Sequence, residues 1–169
     1  MPKIIENARE TLICEAKRQV AERGYKATTI RSVAEGCGMA VGTVYNYFPS
    51  KDMLIAGFIL DDWLAMLNAL KQYEYTSAED YLFAIYSHLV GFARKHERLF
   101  TDKDAMSAYS SAFYEKHKLL RRQLAELILP MLSDKSDFEA EFIAESIITW
   151  TMAGKDFDEI YNVIKKIII

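Results

Sequence analysis

The residues best suited to catalysis or metal binding in this chain are its three histidines and two cysteines. His88, His96 and His117 include no pair at the i, i+4 spacing that lets one helix hold a metal ion. Cys14 and Cys37 give no metal-site spacing. No carboxylate pair comes with a nearby Ser, Cys or His in a catalytic arrangement. We therefore predict no enzyme, no metal centre and no cofactor.

Residues 28–51 are better suited to contacting phosphates and base edges than to catalysis or metal binding. Thr29 is a typical N-cap of a short helix, which Gly36-Cys37-Gly38 ends after about two turns. Residues 40–48 form a second short helix that Pro49 stops. Two short helices joined by a tight turn form a helix-turn-helix, whose second helix enters the major groove of DNA.

The outer face of this segment carries groups that suit phosphate. Thr29 would offer a hydroxyl and free backbone N–H groups at a helix N-terminus. Arg31, Tyr45, Tyr47 and Lys51 can lie on the same outer face. For each tyrosine individually, packing within the protein is nearly as good an explanation as phosphate contact.

An amphipathic helix precedes the two short ones. Leu12, Ala16 and Val20 recur every four residues, and Gly24 can end the helix with a positive φ. In the later turn, Cys37 is better explained as a small buried residue than as a redox switch. The residues expected to pack against the first helix are Val33, Val44 and Phe48.

Residues 24–54, GYKATTIRSVAEGCGMAVGTVYNYFPSKDML, resemble the N-terminal signature of TetR-type regulators. The Gly-Tyr pair, the Thr-Thr pair and the Gly-Thr-Val-Tyr-Asn-Tyr-Phe run occur in register, and the resemblance covers about residues 8–54. It implies a homodimer that binds a double-stranded DNA operator through two recognition helices and is released by a small effector. The candidate DNA-contacting residues are Thr28, Thr29, Arg31, Val41, Gly42, Thr43, Tyr45, Asn46, Tyr47 and Lys51.

Three positions depart from the family pattern. Ala40 replaces the usual Ser at the start of the recognition helix and cannot cap it, which costs about 1 kcal/mol. Val41 replaces a common Lys and can contact a thymine methyl group but donates no hydrogen bond. Val20 stands where Phe is usual. These departures concern base recognition and leave the predicted fold unchanged.

The remainder of the chain keeps helical spacing and shows no credible strand, so the predicted fold class is all-α. We expect a three-helix helix-turn-helix domain at residues 1–51 and a helical effector-binding and dimerisation domain at residues 52–169. The expected helices of the second domain span about 51–73, 77–96, 105–132, 137–153 and 156–168, with a possible break near Ser110-Ser111. Residues 97–103 are expected to form either a short turn of helix or a loop.

Aromatic residues make up 12% of the chain, and seven methionines accompany them. Such a composition can line an apolar cavity with a few hydroxyl groups, although core packing is the simpler interpretation for any one residue. No Arg or Lys cluster accompanies the candidates, so the unknown effector is expected to be small and apolar or aromatic. A DNA-binding regulator without a ligand, acting through protein partners, is the alternative. The pocket candidates are Trp63, Tyr86, Tyr109 and Phe113.

The last two predicted helices are strongly apolar. Their apolar faces could pack within one subunit, but a four-helix bundle formed by two copies explains the surplus better. The candidate dimer-interface residues are Phe138, Phe142, Trp150, Ile160 and Ile164.

Charge is distributed unevenly along the chain, whose net charge is −3 at pH 7. Residues 1–51 hold eight Lys or Arg and five Asp or Glu, a net charge of +3, and the remainder carries −6. A mildly basic first domain suits contact with phosphate. We expect no run of about 18 apolar residues that could span a membrane, and no signal peptide, so a cytoplasmic protein without a membrane partner is predicted.

Overall fold

The computed structural model describes residues 7–132 and 136–168, with the backbone alone for residues 108–116. This part of the chain is helical and contains no strand, which confirms the predicted fold class. A turn of 3₁₀ helix, Leu129–Met131, follows the seventh helix. The helices are α1 (Ala8–Ala27), α2 (Ile30–Gly36), α3 (Val41–Tyr47), α4 (Lys51–Lys71), α5 (Ala78–Lys95), α6 (Glu97–Phe100), α7 (Lys103–Ile128), α8 (Asp137–Met152) and α9 (Phe157–Ile168).

The chain divides into two compact units. The first contains the residues up to Asp62 together with His96–Ser111, and the second contains Trp63–Lys95 and Ala112–Ile169. The described residues of the predicted DNA-binding domain, 7–51, lie within the first unit, which also includes the beginning of α4 and all of α6. Helices α4 and α7 therefore contribute to both units.

The core of the first unit forms where α1, α2 and α3 meet. Leu12 and Ala16 on α1 are fully buried, and Val20 is nearly so, as the four-residue spacing predicts. The side chains of α2, α3 and the residue after α3 that were expected to cover this face are also in the core: Val33, Val44 and Phe48.

Two glycines shape the connections of this unit. Gly24 has φ 82° and kinks α1, which resumes for one more turn to Ala27 instead of ending at Gly24 as predicted. Gly38 has φ 63° in the turn between α2 and α3. This conformation is strained for a residue with a Cβ, so Gly38 sets the direction in which the chain enters α3.

Helix α4 has the length and composition of a membrane-spanning helix, because it contains an 18-residue window of mean hydropathy 1.6. A single helix of this kind is weak evidence for a membrane span, because the core helix of a folded protein has the same length and composition. The α4 residues Asp61 and Asp62 pair with Arg9 and Lys17 of α1, and Leu54 is fully buried in the first core. We interpret α4 as a core helix of the folded chain.

The second unit is built from the remainder of α4 and α7 with α5, α8 and α9. Helix α5 begins where the sequence predicts, with the Ser77 hydroxyl accepting from the backbone N–H of Asp80. The Ser136 hydroxyl accepts from the backbone N–H of Glu139 and caps α8. Helix α7 continues through Ser110-Ser111 without the break that was considered possible, and it ends at Ile128, two residues before Pro130. Proline disfavours helical geometry in the preceding residue, which accounts for this end.

The turn before α3 supports a direct prediction about stability. Replacing Gly38 with Ala should lower the free energy of unfolding by about 1 kcal/mol, because alanine disfavours the positive φ. Urea unfolding of the purified chain measures the difference.

The matched control is Gly42→Ala. Gly42 lies inside α3 with open space where a Cβ would be, so this substitution should be neutral or mildly stabilising. Equal loss of stability in both variants would show that the turn conformation is not the cause.

Candidate nucleic-acid interface

The recognition helix α3 presents one face to the core and the other to solvent. Val44 is fully buried, and Phe48, the C-cap residue, is also buried. Gly42, Tyr45 and Asn46 share the opposite face at i, i+3 and i+4 spacing, and all three are exposed. This face is the part of α3 that a DNA groove could reach without unfolding the core.

The other candidates on α3 lie at the margin of that face. Val41 is half-buried and packs against the core cluster, so its side chain is less available for a thymine methyl group than the sequence suggests. Thr43 is also half-buried, whereas Tyr47 is 39% exposed. As expected, Ala40 provides no side-chain hydrogen bond at the start of α3.

Thr28 is removed from the DNA-contacting set. Its side chain is fully buried, and its hydroxyl donates to the carbonyl of Gly24 at 2.9 Å. The hydroxyl therefore completes the last turn of α1. The Thr-Thr pair suggested two exposed hydroxyls, but only the second of them lies at the surface.

Thr29 caps α2 in the predicted manner, and this role occupies its polar groups. Its hydroxyl accepts from the backbone N–H of Ser32 at 3.0 Å, and its own backbone N–H donates to the Ser32 hydroxyl at 3.0 Å. This reciprocal capping box leaves fewer free N–H groups for a phosphate than we expected from the sequence.

Lys51 takes part in a polar cluster between the end of α1 and the beginning of α4. Its ammonium group donates to the carbonyl of Tyr25 at 3.1 Å and lies 3.5 Å from the centre of the Tyr25 ring. Burial lowers the pKa of Lys51. Burial and the hydrogen bond from the Tyr25 hydroxyl to Asp52, at 2.6 Å, raise the pKa of Tyr25. Lys51 is thus partly committed to holding α4 against α1.

The cations of the first unit divide into paired and unpaired groups. Arg9 donates two hydrogen bonds to Asp61 at 3.0 and 3.1 Å, and Lys17 donates one to Asp62 at 2.7 Å. In contrast, Arg31 at the start of α2 is exposed and forms no ion pair with any residue that the structure describes. Arg31 is therefore available to a phosphate.

Gln19 is a positioning residue that the sequence pattern did not reveal. It is 1% exposed, and its amide donates to the carbonyl of Ser32 at 2.9 Å and to the carboxylate of Glu15 at 2.6 Å. Its side-chain oxygen accepts from the Ser32 hydroxyl at 2.6 Å. Gln19 therefore ties α1 directly to the capping box of α2. The sequence did contain one indication of this role: Gln19 lies seven residues after Leu12, which places it on the buried face of α1.

The pocket candidates fall in different surroundings within the second unit. Trp63 is 1% exposed, donates its indole N–H to Gln123 at 2.9 Å and meets the Phe92 ring edge-on. Tyr86 is half-buried and donates its hydroxyl to the carbonyl of Lys155 at 3.2 Å. The side chains of Tyr109 and Phe113 lie outside the described residues.

The dimer candidates separate into two sets. Phe138, Phe142 and Trp150 on α8 are 77%, 47% and 51% exposed. Ile160 and Ile164 on α9 are buried within the second unit, so they are removed from the candidate interface. The apolar spacing of α9 predicts a buried face correctly but does not identify which neighbour covers it.

Comparison with known proteins agrees with this architecture. Residues 12–57 match the family described as "Bacterial regulatory proteins, tetR family". The HTH-type transcriptional repressor KstR2 of Mycobacterium tuberculosis is 41% identical over 64 residues, which are 36% of this chain and 31% of that protein. The chain thus matches about a third of the length of this relative.

Solved structures extend the likeness to the whole fold. A transcriptional regulator of Streptomyces coelicolor A3(2) has a TM-score of 0.72 at 14% identity, covering 96% of this chain and 98% of that one. Salmonella enterica GusR has a TM-score of 0.70 at 20% identity, covering 96% and 88%. The fold and the helix-turn-helix define an all-α protein with an N-terminal DNA-binding motif. Residues 12–57 are therefore a DNA-binding region of the TetR family.

The buried amide contact between α1 and α2 can be tested by Gln19→Leu. Leucine fills a similar volume but removes the side-chain hydrogen bonds of Gln19 to the Ser32 carbonyl and hydroxyl, which should lower the free energy of unfolding by about 1–3 kcal/mol. Urea unfolding measures this loss.

Glu22→Gln serves as the control, because it alters an exposed ion pair between Glu22 and Arg18 on the same helix. Its effect should stay below about 1 kcal/mol. If Gln19→Leu is as mild as the control, the amide contact does not fix α2 on α1.

Proposed function

We propose that this chain is a cytoplasmic, dimeric transcriptional repressor that binds operator DNA through α3. A small apolar or aromatic effector, bound by the helical second unit, releases it from DNA. The observation that supports DNA binding most directly is the exposed face of α3, formed by Gly42, Tyr45 and Asn46 opposite the buried Val44.

The chemistry of that face suits the major groove. An asparagine amide donates to N7 and accepts from N6 of adenine, so Asn46 is the side chain best able to discriminate a base. Gly42 lets the backbone of α3 approach the groove closely, since nothing projects from it. Tyr45 and Tyr47 can donate their hydroxyls to flanking phosphates.

Phosphate contact is supplied by cations outside α3. Arg31 and Lys26 are exposed near the start of α2, and neither forms an ion pair within the described part of the chain. Such residues increase affinity for every DNA sequence and make it dependent on salt. Asn46 and Arg31 therefore have separable roles in this proposal.

Dimerisation through α8 is supported by its solvent-facing side. Phe138, Phe142 and Trp150 are large apolar residues that are all about half or more exposed in one copy of the chain. Their burial against a second copy removes apolar surface from water, at roughly 25 cal/mol for each Å². A two-fold contact brings the same face of both copies together.

For control by a small effector, the structure also offers support for an alternative. The pocket candidate Trp63 is tightly packed against Phe92 and hydrogen-bonded to Gln123. This packing favours a regulator without a small ligand, acting through protein partners. Thermal shift in the presence of small apolar compounds, followed by DNA titration with each hit, separates the two functions.

DNA recognition yields a pair of contrasting predictions. Selection from a random duplex pool should return an inverted repeat. Arg31→Ala should weaken binding to all sequences alike and reduce the salt slope by about one unit. Asn46→Ala should instead relax the preference at one base pair, by about 1–3 kcal/mol of discrimination.

Fluorescence anisotropy with the selected site and a scrambled duplex, at several salt concentrations, measures both effects. Absence of an enriched motif at moderate salt would contradict the proposal. Equal effects of the two variants on both duplexes would contradict the assigned roles.

The dimer prediction uses the exposed face of α8. Phe142→Asp should yield a folded monomer, because a charge buried without a partner at the dimer interface costs several kcal/mol. Sedimentation velocity at micromolar concentration gives the mass, and circular dichroism confirms that the helices remain.

Leu60→Asp is the matched control, since Leu60 is 43% exposed on α4 and lies outside α8. It should leave the dimer intact. A wild-type chain that sediments as a monomer would contradict the proposed dimer.

A further inference from the structure

The two cysteines of the chain both line one groove of the first unit. The groove has a volume of about 450 Å³ and runs along α1 and the turn between α2 and α3. Both thiols are free; Cys14 is exposed and Cys37 is half-buried. The residues that line it are Glu10, Thr11, Cys14, Glu15, Arg18, Gly36 and Cys37.

The turn packs closely against the part of α1 that carries Cys14. The sulfur of Cys37 lies 3.7 Å from the carbonyl oxygen of Thr11, which is within one helical turn of Cys14. A Cβ added to Gly36 would lie 2.1 Å from the carboxylate of Glu15, the residue next to Cys14. The α2–α3 turn, which carries Cys37, therefore contacts the stretch of α1 that carries Cys14.

The electrostatics of the groove distinguish the two thiols. Burial raises the pKa of Cys37, and the negative charges of Glu15 and of a Cys14 thiolate raise it further. A raised pKa keeps more of Cys37 in the thiol form, which reacts with oxidants more slowly than the thiolate. Exposed Cys14 is the thiol that a dissolved oxidant meets first.

We propose that Cys14 and Cys37 form a redox-sensitive pair, in which a hydroperoxide converts the two thiols to a disulfide between α1 and the α2–α3 turn. The Cys14 thiolate attacks the peroxide oxygen, giving a sulfenic acid and an alcohol, or water from hydrogen peroxide. The sulfur of Cys37 then attacks the sulfenic sulfur, loses its proton and releases water. The two thiols are oxidised, and the peroxide is reduced.

The disulfide would act on the segment that aims the recognition helix. Cys37 is followed by Gly38, whose positive φ sets the direction of the chain into α3. Drawing Cys37 towards Cys14 shifts this turn, so oxidation should weaken DNA binding. This consequence rests on the proposed DNA-binding function, whereas formation of the disulfide does not.

The experiment treats the reduced full-length chain with a small excess of hydrogen peroxide at low micromolar concentration. The expected product is a monomeric chain lighter by two hydrogen atoms, with a Cys14–Cys37 peptide in a non-reducing digest. Its melting temperature should rise by several degrees, because the cross-link constrains the unfolded chain, and a reductant should reverse the rise.

Two serine variants serve as matched controls. In Cys37→Ser, peroxide should leave a Cys14 sulfenic acid that dimedone traps. In Cys14→Ser, the thiol of Cys37 should survive the same treatment. A wild-type chain that gives only intermolecular disulfides, or traps dimedone as readily as Cys37→Ser, would overturn the proposal.

DNA titration of the reduced and oxidised chain tests the consequence separately. Oxidation should weaken binding about 5-fold or more, as expected for coupling between two sites. If the chain with the mapped disulfide binds DNA as tightly as the reduced chain, the regulatory role is overturned. If the reduced chain binds no DNA, the proposed function fails, while the digest still decides whether the thiols pair.

Discussion

The seven residues of α3 are too few to form a stable helix in water by themselves, and no side chain caps its start. The helix persists because Val44 within it and Phe48 directly after it are buried against α1 and α4. Burying two such side chains supplies roughly 3–6 kcal/mol, more than the missing cap costs. The exposed recognition face thus exists only while this small core is intact, and the remaining polar contacts keep the core in place.

Two polar connections hold the neighbours of α3. Gln19 joins α1 to the capping box of α2, and the cluster of Tyr25, Lys51 and Asp52 joins the end of α1 to the beginning of α4. Buried polar contacts are directional, so they fix the angle between helices more narrowly than apolar packing does. In the proposed function, an effector that moves α4 must alter this second connection. Lys51 consequently affects helix orientation as well as charge.

Local signals made the first unit predictable from the sequence. The apolar spacing of α1, the cap at Thr29 and the glycine at 38 each act over a few residues, so they indicated the helices and the turn. The buried state of Thr28 and the role of Gln19 depend on which groups meet after folding, and spacing alone does not supply that information. Likewise, α9 is apolar enough to suggest an interface, but Ile160 and Ile164 are covered within their own unit.

The ion pairs of the first unit show which of its cations remain free to contact phosphate. Arg9 and Lys17 form ion pairs with α4, and Arg18 pairs with Glu15 and Glu22. These cations stabilise the unit and are largely neutralised by neighbouring acids. Few cations near α2 therefore remain to attract phosphate without regard to sequence. In the proposed function, more of the operator affinity must then come from the groove-facing side of α3, which places the greater demand on Asn46 and on the accuracy with which the core positions it.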